Sequence, residues 1–246
     1  MSSNYNSLQV AANRRMSRGL MFGVAYTWSK ALGIGSGDKD KVTSYFSPRS
    51  RDYGPLSFNR PHVFVANYSY DLPKLGTKTS WKPARWVLDD WQVSGITMFM
   101  TGAPFTPGIS TTDGQDITGS SDGARITVIG DPRLSKGEKT YYRNFNTDAF
   151  ARTPLRSFGN AGVNILYGPG ANNFDLAISK RIPLGSESRF IRFRTELFNA
   201  WNHTQFSGMT TTARFDPSGK QIDPNFGAFS AARDPRRIQL SLKVIF

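Results

Sequence analysis

The chain has 246 residues and no cysteine, which excludes a disulfide framework and a thiolate metal site. Its hydrophobic fraction of 38% is low for a globular protein, yet aromatic residues reach 13%, a mixture that suits a sheet with little enclosed apolar core. The formal net charge of +13 is spread among predicted strands and loops rather than clustered, which argues against a nucleic-acid binder and leaves anionic lipid, lipopolysaccharide and acidic solutes as partners.

The first thirty residues predict a β-hairpin. In 6–16, Leu8 and Val10 alternate with polar side chains, and in 20–30 large apolar or aromatic side chains alternate with small ones. Successive side chains of a strand point to opposite faces, so each segment is a strand with one apolar face. The three residues 17–19 between them include Gly19 and predict a tight turn.

Five more strands with the same alternation are predicted at 62–72, 91–100, 174–182, 191–197 and 236–246. The second of these changes phase between Trp91 and Ile96, which predicts a β-bulge at Ser94-Gly95. We expect the seven strands to pair in sequence order as an antiparallel meander, because no helix is available for parallel crossovers. Their apolar faces should then share one convex side, which carries Leu8, Val24, Phe64, Ile178 and Leu242.

The linkers between these strands differ in length in a regular way. They are short at 17–19 and 183–188, intermediate at 73–90, and long, polar and rich in glycine and proline at 33–59, 105–171 and 203–235. Compact soluble domains seldom carry several structureless loops of more than about 15 residues, whereas outer-membrane barrels combine tight periplasmic turns with long outer loops.

The predicted fold class is therefore all-β: an antiparallel up-and-down meander that forms a partial, open transmembrane β-barrel with long extracellular loops. Several predicted strands match the roughly 9–11 residues of a tilted membrane strand rather than the usual 5–6. The aromatic residues Tyr26, Trp28 and Tyr70 lie toward strand ends, where interfacial girdles are found. A soluble β-sandwich binding module stays open as an alternative.

Six motifs carry a resemblance to a known family. In chain order they are Tyr26-Thr-Trp-Ser-Lys30, Asn59-Arg-Pro-His-Val63, Asp90-Trp-Gln-Val-Ser-Gly95, Thr101-Gly-Ala-Pro-Phe105, Phe198-Asn-Ala-Trp-Asn-His203 and Ala232-Arg-Asp-Pro-Arg-Arg-Ile-Gln-Leu240. Together they resemble the C-terminal barrel portion of TonB-dependent outer-membrane receptors. The most similar branch is the Oar-like one, whose complete members carry an N-terminal carboxypeptidase-regulatory-like domain.

The resemblance implies that residues 1–246 are the last seven or so strands of a larger receptor, without its plug and N-terminal strands. Such a receptor lies in the cell outer membrane and imports a solute, here unknown, with a TonB-type energy-coupling protein that acts through the missing part. The resemblance also implies that the barrel-assembly machinery reads the C-terminal strand, here Leu240, Leu242, Val244 and Phe246. A structural or adhesive surface protein on a similar barrel is the alternative.

Residues for catalysis or cofactor binding are scarce, so we expect neither an enzyme nor a bound cofactor. His62 and His203 are interpreted as girdle or loop residues, and Gly33–Gly37 as a flexible loop rather than a phosphate cradle. The acidic residues Asp113, Asp116 and Asp122 miss the spacing of a helix-loop-helix calcium site and predict a solvated loop. Charges on the polar strand faces are expected to face the lumen and to pair with one another or with a plug: Asp175, Arg181, Arg192, Arg194 and Glu196.

Overall fold

A computed structural model describes residues 3–37, 48–78, 82–120, 122–186 and 188–246. In chain order its strands are β1 (Ser3–Ser17), β2 (Leu20–Ile34), β3 (Tyr53–Pro55), β4 (His62–Asp71), β5 (Trp91–Met100), β6 (Pro104–Phe105), β7 (Gly108–Thr111), β8 (Thr127–Val128), β9 (Phe150–Ala151), β10 (Leu166–Tyr167), β11 (Ala171–Ser186), β12 (Arg189–Phe198), β13 (Phe206–Met209), β14 (Thr212–Phe215), β15 (Phe229–Ala232) and β16 (Arg237–Ile245). The helices are α1 (Pro48–Asp52) and α2 (Lys82–Leu88), with short 3-10 helices at Gly76–Lys78, Lys136–Glu138 and Thr147–Ala149. Across the described ranges, no helix is long and apolar enough to cross a membrane.

The seven predicted strands form the main sheet. They pair in the order β1-β2-β4-β5-β11-β12-β16, every neighbouring pair is antiparallel, and the short β3 adds to β2. This confirms the predicted meander, in which each strand returns beside the one before it. Among the described residues, β1 pairs only with β2 and β16 only with β12, so the sheet has two free edges and is open.

The strand register joins the predicted apolar faces into one surface. Directly paired residues point to the same side of a sheet, and the pairs Val24↔Ala66, Leu176↔Leu197 and Phe193↔Leu242 all join positions predicted to be apolar. The same registers place on this face all five residues that the sequence predicted to share one side: Leu8, Val24, Phe64, Ile178 and Leu242. Large side chains on it are exposed, including Trp28 at 56% and Leu242 at 69%.

The predicted bulge at Ser94-Gly95 is wrong. The register of β5 runs without interruption against β4 and against β11. Gly95 lies on the apolar side opposite Tyr68, and a Cβ atom at this position would lie 2.7 Å from the Asp175 backbone oxygen. The phase changes only in the sequence pattern, because Gly95 and Thr97 occupy the apolar side in regular register while Ile96 and Met98 occupy the polar side.

Several elements extend beyond their predicted bounds. β2 continues to Ile34 and β11 spans Ala171–Ser186, so that Pro183 lies within the strand and pairs with Phe190. The intermediate linker is also partly ordered, since it contains the 3-10 helix Gly76–Lys78 and α2. Pairing therefore persists where the alternation of apolar and polar residues has already ended.

Candidate functional site: the loop unit

The long loops meet at one end of the sheet. In a meander, successive connections alternate between the two ends, so the links from β2 to β4, from β5 to β11 and from β12 to β16 share one end. We call this end the loop end. The links after β1, β4 and β11 share the opposite end, which we call the turn end. We define the loop unit as the described parts of residues 48–61, 101–170 and 199–236.

The loop unit has its own apolar core, which the sequence analysis did not predict. Phe145, Phe150 and Phe226 contact one another edge to face, with ring centroids 5.1 to 5.8 Å apart. Such aromatic pairs add to the free energy gained by burying their surface. The buried residues of the core come from two long loops and are Ile126, Phe145, Ala149, Phe150, Ala161, Leu166, Ala213, Phe215 and Phe226.

Backbone pairing also joins the loops. β7 pairs in parallel with β14, so Gly108 lies opposite Thr212, and β13 pairs with β15. A Cβ atom on Gly108 would lie 2.7 Å from Thr212 Oγ1, so the close approach of these strands requires glycine there. Parallel pairing between segments a hundred residues apart fixes the two loops against each other.

Two buried polar groups attach the first long loop to the others. The Asn59 side chain accepts a hydrogen bond from the Ala31 backbone N–H at 2.8 Å and donates one to Tyr167 Oη at 2.9 Å. Asp52 and Arg125 form an ion pair whose side chains are 7% and 13% exposed. Burial lowers the pKa of Arg125, and the Asp52 carboxylate opposes this effect. A buried pair of this kind tolerates the loss of neither partner.

A cavity lies where the loop unit meets the polar face of the sheet. Its volume is about 1000 Å³. Asp175 and Gln239 on the strands and Gln205, Arg233 and Asp234 in the last long loop contribute polar groups to its wall. Gln205 is held in place, because its Nε2 donates to Asn173 Oδ1 at 2.9 Å and its backbone carbonyl oxygen accepts from the Arg233 N–H at 2.7 Å.

The five predicted lumen-facing charges share the polar face but form two groups. Arg194 and Glu196 form an ion pair at 2.9 Å, and the guanidinium groups of Arg181 and Arg192 lie 4.2 and 5.3 Å from the Phe190 ring centroid. Asp175 lies apart from them at the loop end, where its Oδ1 accepts from the Asn199 N–H at 2.9 Å. The three arginines line a smaller cavity of about 370 Å³ at the turn end. Whether this face borders a lumen stays a prediction.

The predicted assembly signal lies on the free edge strand. Leu240, Leu242 and Val244 of β16 point to the apolar face and are each more than half exposed, and Phe246 just after the strand is 96% exposed. A strand that is hydrogen-bonded to a neighbour on only one side has a free backbone edge, which can pair with another strand. Recognition by assembly machinery stays a prediction.

The remaining sequence candidates have local partners. His62 Nδ1 and Tyr26 Oη lie 2.8 Å apart with stacked rings, and the His203 N–H donates to Asn199 Oδ1. The Asp113 carboxylate pairs with Arg152 at 2.6 Å, which lowers its pKa. Asp116 accepts from the backbone of the loop that follows it.

The described part of the chain contains no group of three His, Cys, Asp or Glu side chains that could hold a metal ion. In the loop considered for calcium, Ser121 lies outside the described residues. In the loop considered for phosphate, residues 38–41, which follow Gly33–Gly37, also lie outside them.

A family of known proteins matches the chain over almost its whole length. The family model described as "Outer membrane beta barrel domain" matches residues 1–239. No curated protein and no solved structure matches the chain.

Proposed function

The chain belongs to the outer membrane beta barrel domain family, and from this premise we propose that it forms part of a TonB-dependent receptor that binds a solute outside the cell and takes part in its import. Membership of the family places the protein in the outer membrane. The six motifs that resemble the Oar-like branch support the finer assignment. The proposal includes no catalytic step and no nucleic-acid partner.

The observation that carries the proposal is the cavity beneath the loop unit. A recognition site needs groups held in fixed positions by a rigid scaffold, and outer loops of a barrel provide these at the cell surface. Here the loops have a buried core and paired strands, and the cavity combines carboxylate, amide and guanidinium groups with the apolar side chains of Met98 and Phe198. We propose that the solute binds there first.

The arginines at the turn end suit a second part of the same mechanism. Arg181 and Arg192 lie on the polar face beside the smaller cavity, on the side where the periplasmic turns of a barrel are found. We propose that these guanidinium groups contact a plug domain in the complete receptor. Movement of that plug by an energy-coupling protein would then open the path beneath the solute.

A cavity-filling substitution tests this function. We expect Gln239→Trp, in the cavity wall, to lower uptake at least tenfold, whereas Ser241→Trp, two residues along the same face but outside the wall, leaves it unchanged. Uptake is measured in a strain lacking the gene and complemented with each variant, using radiolabelled ferric siderophores, oligosaccharides and oligopeptides as probes. A protonophore should abolish uptake. The proposal would be contradicted if deleting the gene reduced the uptake of none of the probes, or if uptake continued in the presence of the protonophore.

An adhesive surface role is the second candidate, because the loop unit displays apolar side chains to solvent. Ile129, Tyr141 and Tyr142 are each at least half exposed. Exposed aromatic groups are common in protein–protein contacts. If gene deletion reduces attachment of cells to surfaces and leaves uptake of all three probes intact, adhesion replaces import as the function.

A further inference from the structure

The linker between β4 and β5 is a folded element at the turn end. We call its described residues, 72–78 and 82–90, the anchor segment. Its 3-10 helix packs closely on α2, since a Cβ atom on Gly76 would lie 2.9 Å from the Arg85 backbone nitrogen. The Gly76 N–H also donates to the Asp89 carboxylate at 2.6 Å. A helix of seven residues has little stability alone, so these contacts hold it in place.

The anchor segment is attached to the lipid-facing side of the sheet. Lys180 and Trp91 are directly paired, and they share their face with Ile178 and Phe193 rather than with the polar charges. The Lys180 ammonium donates to the Asp89 carbonyl oxygen, and Trp91 Nε1 donates to the Val87 carbonyl oxygen at 2.7 Å. The last turn of α2 therefore lies on the apolar side, beside the surface that contacts lipid.

The exposed surface of the anchor segment combines apolar and basic side chains. Leu75, Trp86 and Val87 are 50%, 62% and 61% exposed, and the basic side chains of Lys78 and Arg85 are exposed as well. The acidic residues of the segment contribute little negative charge to this surface. Asp89 is 5% exposed, and Asp90 is paired with Lys74 at 3.1 Å.

We propose that the anchor segment is an interfacial lipid anchor that binds the phospholipid surface of the periplasmic leaflet, with Trp86 and Val87 among the acyl chains and Lys78 and Arg85 at anionic headgroups. The surface continues the lipid-facing side of the sheet, and the short links of a barrel lie on the periplasmic side. Tryptophan and basic residues are the side chains that favour the membrane–water interface. This inference depends on the outer-membrane location and not on solute import.

Site-specific labelling tests the anchor, because the chain has no cysteine of its own. Val87→Cys and the control Ile129→Cys, which is similarly exposed but lies in the loop unit, are each labelled with an environment-sensitive fluorophore. Protein purified from outer membranes is placed in vesicles of phosphatidylcholine alone or of equal parts phosphatidylcholine and phosphatidylglycerol. Nitroxide-labelled phosphatidylcholine then reports contact with lipid, and the mobility of unboiled protein on gels checks assembly.

We expect the label at residue 87 to be quenched at least about twofold more than the label at residue 129, and more strongly when phosphatidylglycerol is present. Adding Lys78→Glu and Arg85→Glu should remove the dependence on phosphatidylglycerol while the protein stays assembled. Equal quenching at the two positions overturns the anchor and assigns the exposed patch to a protein partner instead. Dependence on phosphatidylglycerol that survives both charge reversals overturns the assigned role of these two residues.

Discussion

An arginine at Val24 tests the assignment of the two faces of the sheet. β2 and β4 are joined by nine direct pairs, from Leu20↔Tyr70 to Trp28↔His62, and Val24 occupies the middle pair. Four residues at about 3.3 Å each, on a strand tilted by about 40°, place either end roughly 10 Å from Val24 along the membrane normal. The apolar band of such barrels is about 25 Å tall, so Val24 lies near its midplane.

The expected cost follows from this position. A guanidinium group on the lipid face near the midplane destabilises a barrel by about 2–4 kcal/mol, which is a roughly 30- to 700-fold change in the folding equilibrium. Ala25→Arg is the matched control, because the adjacent side chain points to the polar face and is exposed. There we expect a change within about 0.5 kcal/mol.

Urea unfolding in phospholipid vesicles, followed by tryptophan fluorescence, measures both variants. Val24→Ala shows how much of the loss comes from side-chain size alone. Leu242→Arg and Ser241→Arg repeat the comparison on the last strand, where the two side chains also point to opposite faces. Equal destabilisation by the arginines at 24 and 25 would refute the assignment of the faces.

Three further predictions concern the loop unit. Phe226→Ala removes a ring from the centre of its core and should destabilise it by about 3–5 kcal/mol, seen as faster limited proteolysis of the loops with an unchanged urea midpoint for the sheet. Asp52→Ala leaves the Arg125 charge buried and should cost about 3–5 kcal/mol, and adding Arg125→Met should recover most of this loss; no recovery would mean that the pair is not the cause. The hydrogen bond from Arg152 lowers the pKa of Asp113, so its stabilising effect is complete above the ordinary value of about 3.9 and is lost as the pH falls below it. The difference in melting temperature between wild type and Asp113→Asn should therefore stay constant from pH 7 to pH 5, and a difference that vanishes near pH 6 would contradict this origin.

The seven long strands could be predicted because the alternation of their side chains reflects two different surroundings. In β2 from Leu20 to Trp28, in β4 from Phe64 to Tyr70 and in β16 from Ile238 to Val244, every second side chain is apolar or aromatic and lies on the apolar face of the sheet. A shift of register by one residue would move these side chains to the polar face, so the pattern also fixes the pairing. The meander follows because neighbouring strands are consecutive in the chain.

Other features of the sheet depend on contacts that alternation does not record. The phase change in β5 indicated a bulge, but Gly95 lies in regular register, where a Cβ atom would come within 2.7 Å of the Asp175 backbone oxygen. Among the predicted charges, alternation placed Arg194 and Glu196 on one face. It could not separate Asp175, at the loop end, from Arg181, at the turn end.

The core of the loop unit escaped prediction because its parts have no period. Phe145 and Phe150 come from one loop and Phe215 and Phe226 from another, and they meet only through tertiary packing. One signal was available: phenylalanine recurs in segments that are otherwise rich in glycine, proline and polar residues. Phenylalanine side chains are usually buried, so their recurrence in a loop indicates that the loop is packed rather than solvated.

The location of the buried core bears on the proposed solute recognition. The apolar face of the sheet is exposed and its opposite face is polar, so neither side of the sheet encloses an apolar core. The described residues instead bury apolar side chains mainly within the loop unit, where Phe215 is 1% exposed and Ile126 is 0% exposed. The loops are therefore ordered by their own packing as well as by their attachment to the strands. A substitution in the cavity wall can accordingly leave the loop core and the sheet intact, and this independence is what allows Gln239→Trp and Ser241→Trp to test the proposed solute binding separately from assembly.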